Sequence, residues 1–494
     1  MNQTPSANAF GFFLLAAASS GMLFFDPGRP ERWFVVVILA LVAATLCLIY
    51  AVKSKEPKPV NWLTVDVLFA GTFCIVHFGY FVYWSLGMIQ GPHFIWNFRY
   101  AHVPHTVCKG LAMYVVCLNL FLFGYHSIRT RAFRPIINQL VPPPGLMASW
   151  GKVGRLLVRM GFLGFAGYIA IVGPSVVFGN YSGTNNKGFL PNISFQLGQV
   201  FLTAGIVTLM VSKQRAFAGR RNSWGIGWTD GFLILLTMAA IGLHGDRSTL
   251  VFIMLPILIG RAEYIKPIPL RSLSLMGLCL IILLGLIVSV RSVRDSSYRF
   301  DPIQSIHSAF LNLGGSAICG FVAIDYVPRK HDYFLGRMQV LHLMGIVPFS
   351  RKLSGVSDTV ENSSSALLTL LIQGSVGGGV AGTGTSVFAD FYFDFGFAGT
   401  AIIFLTAGAF AKWLQNSART STSLLWQVAF VCAVAFFALC SRYTLIGGLI
   451  RFSLHTAIYT AVIASAIGVS VKFTTRRPVI VTPVVDNKKL QGHR

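Results

Sequence analysis

Three short stretches set arginines against long apolar runs: HGDRST at 244–249, VRSVRDSSYR at 290–299 and CSRYT at 440–444. An arginine surrounded by hydrocarbon costs about 2.5–3.5 kcal/mol even on the most lenient insertion scale, so each of these charges needs a partner or a use. A guanidinium fork matches the oxygens of a phosphate in bidentate fashion, which a lysine cannot do. Arg247, Arg291, Arg294 and Arg442, gathered at the ends of apolar runs, therefore suggest one shared anion. The plain alternative for any one of them is a local ion pair, or a side chain that snorkels to the lipid headgroups. Arg451 lies deeper in the last apolar run.

A second group of chemically capable residues lies in GGGVAGTGTSVFADFYFDFGFAGT, 377–400. Its glycines are not followed by GK[ST], so this is no phosphate loop. A turn feeding a helix fits better, with Thr385 or Ser386 near the N-cap. Asp390 and Asp394 are four apart and share a helix face near the positive end of the helix dipole. Either they merely answer that dipole at the water boundary, or Asp390 binds sugar hydroxyls or activates one as a base. Asp394 and Tyr392 would then contact the glycan. His244 is a second candidate base, because imidazole titrates near neutrality. It ranks below the arginines, since a histidine at the end of an apolar run is more often a hydrogen-bonding residue. The acids form no cluster resembling a metal cage, so neither a metal site nor a cofactor is expected.

The elements that position these residues follow from composition. Of 494 residues, 54% are hydrophobic and 11% charged, and mean hydropathy is +0.66, so lipid is the main solvent. A net charge of +24 can signal a nucleic-acid partner, but the basic residues fall mostly in short loops between apolar runs and read as orientation signals. No nucleic-acid partner is expected. The eight cysteines show no metal-binding or disulfide spacing. The N-terminus has an apolar stretch but lacks the basic region of a secretory signal, and reads as a first helix.

About twelve membrane spans are expected, near 10–25, 33–52, 62–86, 105–126, 156–178, 193–212, 229–243, 249–260, 273–290, 385–414, 424–440 and 445–471. The seventh and eighth are short enough to dip inward rather than cross. Lysines and arginines such as those of KSKEPK, KQRAFAGRR and the tail collect on one side, which places both termini in the cytoplasm. The expected organisation is 1–290 with nine membrane helices, a large outer loop at 291–384, three more helices at 385–471 and a basic cytoplasmic tail at 472–494. A loop of that length inside a compact bundle is commonly functional, and IQSIHSAFLNL and SALLTLLIQ suit short helices lying along the membrane surface. Arg329, Lys330, Arg351 and Lys352 in this loop are expected to be solvated.

On the outer side the four arginines face water and membrane together. A lipid diphosphate fits them: its tail stays in the bilayer, its charge sits at the rim, and guanidinium groups would stabilise it as a leaving group.

The chain resembles the bacterial oligosaccharide repeat-unit polymerases, the Wzy-type O-antigen and exopolysaccharide polymerases. The resemblance runs from about 229 to 455. It is carried by the turn HGDRSTLVFIMLPIL, the arginines of VRSVR, DYFLGRMQVLHLMGIVPFSRK, GTGTSVFADFYFDFGFAGT and the late SR motif, and it is their order that persuades. It implies a GT-C-like, metal-independent membrane glycosyltransferase of the bacterial inner membrane. Such enzymes move a growing glycan from undecaprenyl diphosphate onto the next lipid-linked unit. The turn arginine would be Arg247, the post-span pair Arg291 and Arg294, and the late one Arg442. The family helix often carries glutamate where Asp390 stands, and its IPR-like element reads IVPFSRK here, with the arginine displaced to Arg351. Partners implied are the lipid-linked oligosaccharide, the bilayer, and a chain-length regulator and flippase of the same pathway. An O-antigen ligase, or a flippase or transporter of lipid-linked saccharide, is the alternative. The unequal halves and one-sided charge count against the transporter.

Overall fold

A computed structural model describes residues 5–56, 59–89, 104–128, 144–173, 189–213, 226–244, 247–292, 307, 311, 313–344, 346, 354, 363–373, 384–421 and 423–469. For 5–7, 104, 144, 189, 247, 281 and 284–292 only the backbone is described.

Among the described residues there are fifteen α-helices and no strand. The first nine are α1 (Pro5–Gly21), α2 (Arg32–Ser54), α3 (Val65–Ser85), α4 (Pro104–Ser127), α5 (Pro144–Val172), α6 (Phe189–Ser212), α7 (Trp228–His244), α8 (Arg247–Tyr264) and α9 (Leu270–Ser292). Three short helices follow: α10 (Ile318–Tyr326), α11 (Arg337–Met344) and α12 (Ser364–Gln373). The last three are α13 (Val387–Thr420), α14 (Leu424–Leu439) and α15 (Leu445–Ala466). Each of the twelve expected apolar runs coincides with a helix, and nine described helices are long and apolar enough to cross a membrane. The fold is that of a polytopic, all-helical membrane protein.

Small residues set the closest helix pairings, as in membrane bundles generally. Along α5 and α6 the backbones nearly touch: a Cβ at Gly161 would come within 2.5 Å of Leu202 N, and one at Gly205 within 2.6 Å of Val158 N. Gly124 of α4 and Gly408 of α13 meet the opposite backbone in the same way. Around α3, α4, α13 and α14 the core is aromatic, with Phe69, Phe73, Phe121, Phe404 and Phe437 packed together. A second core joins α5, α6, α7 and α8 through Phe165, Tyr168, Phe195 and Leu202.

The two ends of the bundle differ. At the end of α2, α4, α8 and α13 the charges are buried and paired. Arg419 grips Glu263 through two nitrogens, Nη2 to Oε2 at 2.9 Å, and Asn61 donates to the same carboxylate at 3.1 Å. Asp66 lies between Lys53 (3.7 Å) and His126 (3.4 Å). At the other end the three short helices pack onto the starts of α4, α13 and α15. Phe321 accepts from Thr106 at 3.1 Å, Tyr114 donates to Ala317 O at 2.6 Å, and Gly447 lies against His342. Helix α10 is thus buried in the bundle, with Phe321, Val322 and Ala323 fully covered. Of the two stretches expected to form surface helices, SALLTLLIQ lies in α12 and IQSIHSAFLNL falls mostly outside the described residues. Arg329 and Lys330 are exposed, as expected, and both also pair with the buried Asp325, at 3.1 and 2.7 Å.

Candidate functional site

Helix α13 is the scaffold of the site. Its N-cap is Ser386, whose hydroxyl accepts from Ala389 N at 3.1 Å. Ten residues in, Gly396 leaves helical geometry (φ 62°, ψ −164°), a conformation that only glycine adopts readily. The break takes the carbonyls of Phe393 and Asp394 out of the regular ladder. The strand-like segment before α11 answers them: Phe334 N donates to Phe393 O and Leu335 N to Asp394 O, both at 3.0 Å. A Cβ at Gly396 would meet the Tyr333 ring at 2.9 Å, so the same glycine also makes room for that segment.

Asp394 completes the joint. Its carboxylate is fully buried and accepts from Met338 N (3.1 Å) and Gln339 N (3.2 Å), the free amides of the first turn of α11. In this fold it therefore caps a neighbouring helix through two backbone amides. Tyr392 is equally covered, at 4% exposure, stacked on Phe388 (5.5 Å) and near Tyr333 (6.5 Å). Asp394 faces α11, whereas Tyr392, two residues earlier, points elsewhere and packs on Phe388 and Tyr333.

One turn earlier on that face lies Asp390, also fully buried. Thr385 Oγ1 donates to its Oδ1 at 2.8 Å, and the Ser364 hydroxyl of α12 lies beside it. Its Oδ2 has no full hydrogen bond among the described residues and faces His342 Nε2 across 3.9 Å. Ser364 Oγ stands 3.4 Å from the same ring nitrogen. The side chain of His342 keeps 12% exposure where Asp390 has none, so the imidazole is the member of the pair that a substrate can reach. A carboxylate behind an imidazole fixes its tautomer and orientation and favours its protonated form. The distance is too long for a hydrogen bond at rest, as is common for such pairs before substrate closes the site.

The arginines fall unevenly. Arg442 ends a 3-10 turn (Cys440–Arg442) between α14 and α15 and is half-buried. The turn that carries it packs against α13, the helix of Asp390. Arg247 opens α8 and Arg291 lies at the end of α9, but their side chains are outside the described residues, and Arg294 lies outside them altogether. His244 is not brought to Asp390. It closes α7, buried in the second core, with Nε2 3.2 Å from Tyr168 Oη and its ring edge-on to Tyr168. No group of three or more potential metal ligands occurs among the described residues.

His342 and Ser364 were not singled out from sequence, although HLMG lies inside the family-like stretch 332–352. The sequence signal for His342 was a histidine beside apolar residues in a short helix of the long loop.

Fold and site together define a polytopic membrane protein with a buried carboxylate–imidazole pair under a helical cover at one end of its bundle. A family model for O-antigen polysaccharide polymerase Wzy matches residues 231–467, so the Wzy-type resemblance holds over α7 to α15, which includes the whole of this site. The match supports O-antigen polymerisation in general. No curated protein and no solved structure matches the chain significantly.

Proposed function

We propose that this protein polymerises lipid-linked oligosaccharide repeat units by glycosyl transfer on the outer, periplasmic side of the bacterial inner membrane. The observation that carries the reading is the Asp390–His342 pair, 3.9 Å apart at the covered end of the bundle, within the family-matched region. On this reading both termini are cytoplasmic, about twelve helices cross the membrane, and 291–384 forms the outer cover of a GT-C-like fold.

The acceptor sugar hydroxyl approaches the exposed edge of His342. Its oxygen attacks the anomeric carbon of the donor glycan as the carbon–oxygen bond to undecaprenyl diphosphate breaks. The hydroxyl proton passes to His342 Nδ1, the ring nitrogen that does not face Asp390, while Asp390 on the Nε2 side steadies the imidazolium that forms. The diphosphate departs with the electron pair of the broken bond, its new charge met by guanidinium groups: Arg442 beside the site, with Arg247, Arg291 and Arg294 completing the set. Asp394 and Gly396 act at one remove, by docking the helix that carries His342. A chain-length regulator and a flippase of the same pathway are the natural partners.

Purified protein given a lipid-diphosphate repeat unit is expected to yield a ladder of glycans on a gel. A single transferred product would replace this reading with a ligase, and no product from folded, monodisperse protein would favour a flippase.

A further inference from the structure

The last helix carries a polar edge that the proposed reaction does not use. Residues Leu454, Ile458 and Val462 of α15 form an exposed apolar ridge, the surface such a helix turns to lipid. At the head of this ridge stands Arg451, itself exposed. Its Nη2 donates to Gln196 Oε1 of α6 at 2.6 Å, and Gln196 is exposed as well. His455, one turn further along α15, places Nε2 3.3 Å from Ile346 O of the outer segment. Tyr459, another turn on, packs against Phe201 of α6 at 5.1 Å. Arg451, His455 and Tyr459 thus run at helical spacing along the seam between α6 and α15, roofed at one point by the outer segment.

The depths agree. Arg451 lies about 9 Å along α15 from Leu445, and Gln196 about 10 Å along α6 from Phe189, at 1.5 Å per residue. Both helices begin at the end covered by the outer segment, so the pair sits about two turns below that end. A neutral amide does not compensate the guanidinium charge, and no ion pair to Arg451 occurs among the described residues. An exposed, uncompensated arginine on the lipid edge of a span is costly unless an anion from the bilayer completes it. Inorganic phosphate has no reason to reach this place, whereas a lipid phosphate arrives there with its tail along the apolar ridge.

The geometry points to a binding site for the diphosphate head of a polyprenyl lipid in the seam between α6 and α15, with Arg451 as the anion-binding group and Gln196 and His455 beside it. This rests on the polymerase reading for the identity of the lipid. The site opens sideways to the bilayer, and His342, packed against Gly447 one turn above Arg451 on the same helix face, links it to the reaction site. It is where a lipid-linked substrate is held before its sugar reaches His342.

The test is direct binding of labelled undecaprenyl diphosphate, without glycan, to the full chain in nanodiscs of zwitterionic lipid. Arg451→Gln is expected to weaken binding about tenfold and Arg451→Lys about threefold, since lysine keeps the charge but loses the fork. Undecaprenol, with the same tail and no phosphate, should not compete, and inorganic pyrophosphate should compete only at far higher concentration than the lipid. Unchanged affinity in both variants would overturn the site, as would equal competition by undecaprenol. Competition by inorganic pyrophosphate as strong as that of the lipid would overturn its assignment to a lipid. The assay reads no glycan, so binding that depends on Arg451 in protein that makes no ladder would sink the polymerase reading and leave the site standing.

Discussion

Asp394 accepts hydrogen bonds from Met338 N and Gln339 N, across more than fifty residues of sequence, and so caps the helix that brings His342 to Asp390. A single carboxylate one turn below the Asp390–His342 pair thereby fixes the position of half of it. Removing it leaves two buried amides without partners, at about 1–3 kcal/mol each.

Asp394→Ala is therefore expected to slow polymerisation about tenfold without touching a substrate, and to open 334–344 to limited proteolysis. Asp394→Asn retains one acceptor and should recover part of both. Faster cleavage of the outer segment with an unchanged rate would separate the joint from catalysis and count against the positioning role.

Gly396→Ala tests the same joint from the other side. The backbone there has φ 62°, and a Cβ would come within 2.9 Å of the Tyr333 ring. Strain of about 1–3 kcal/mol is expected, seen as a lower unfolding temperature in detergent and as loss of protection of the outer segment. A variant as stable as the parent would mean that the segment docks by other means.

At the opposite end, Glu263→Ala strands the buried Arg419 guanidinium. Breaking a buried pair from one side costs about 3–5 kcal/mol. The variant should lose monodispersity on gentle heating, while Arg419→Ala combined with Glu263→Ala should be the less damaged protein. Equal losses in the two cases would show that the pair is not the source of stability.

The twelve apolar runs were legible because hydrocarbon imposes length and composition on every helix that crosses it, and each coincides with a helix. The start of α5 at Pro144 was less so, since Lys152 and Arg155 interrupt its apolar character. The break at Gly396 was not legible, because one glycine among several in this stretch carries no distinguishing mark. Asp390 was legible as a carboxylate near a helix N-terminus. Its partner was not, because His342 reaches it through backbone bonds from 334 and 335 to a broken helix, a pairing that no local pattern encodes. The same joint explains why the Asp394 carboxylate is covered. His244 lies apart from this joint, buried with Nε2 3.2 Å from Tyr168 Oη.

His342 is the proposed proton acceptor, with Asp390 behind it. The most direct measurement is glycan ladder formation from a purified lipid-diphosphate repeat unit by His342→Gln, Asp390→Asn and Arg442→Ala, each first shown to be folded and monodisperse. The expected result is a loss of at least about a hundredfold in rate for the histidine and aspartate variants and a comparable loss for the arginine. Ladders of ordinary length and rate from both His342→Gln and Asp390→Asn would contradict it.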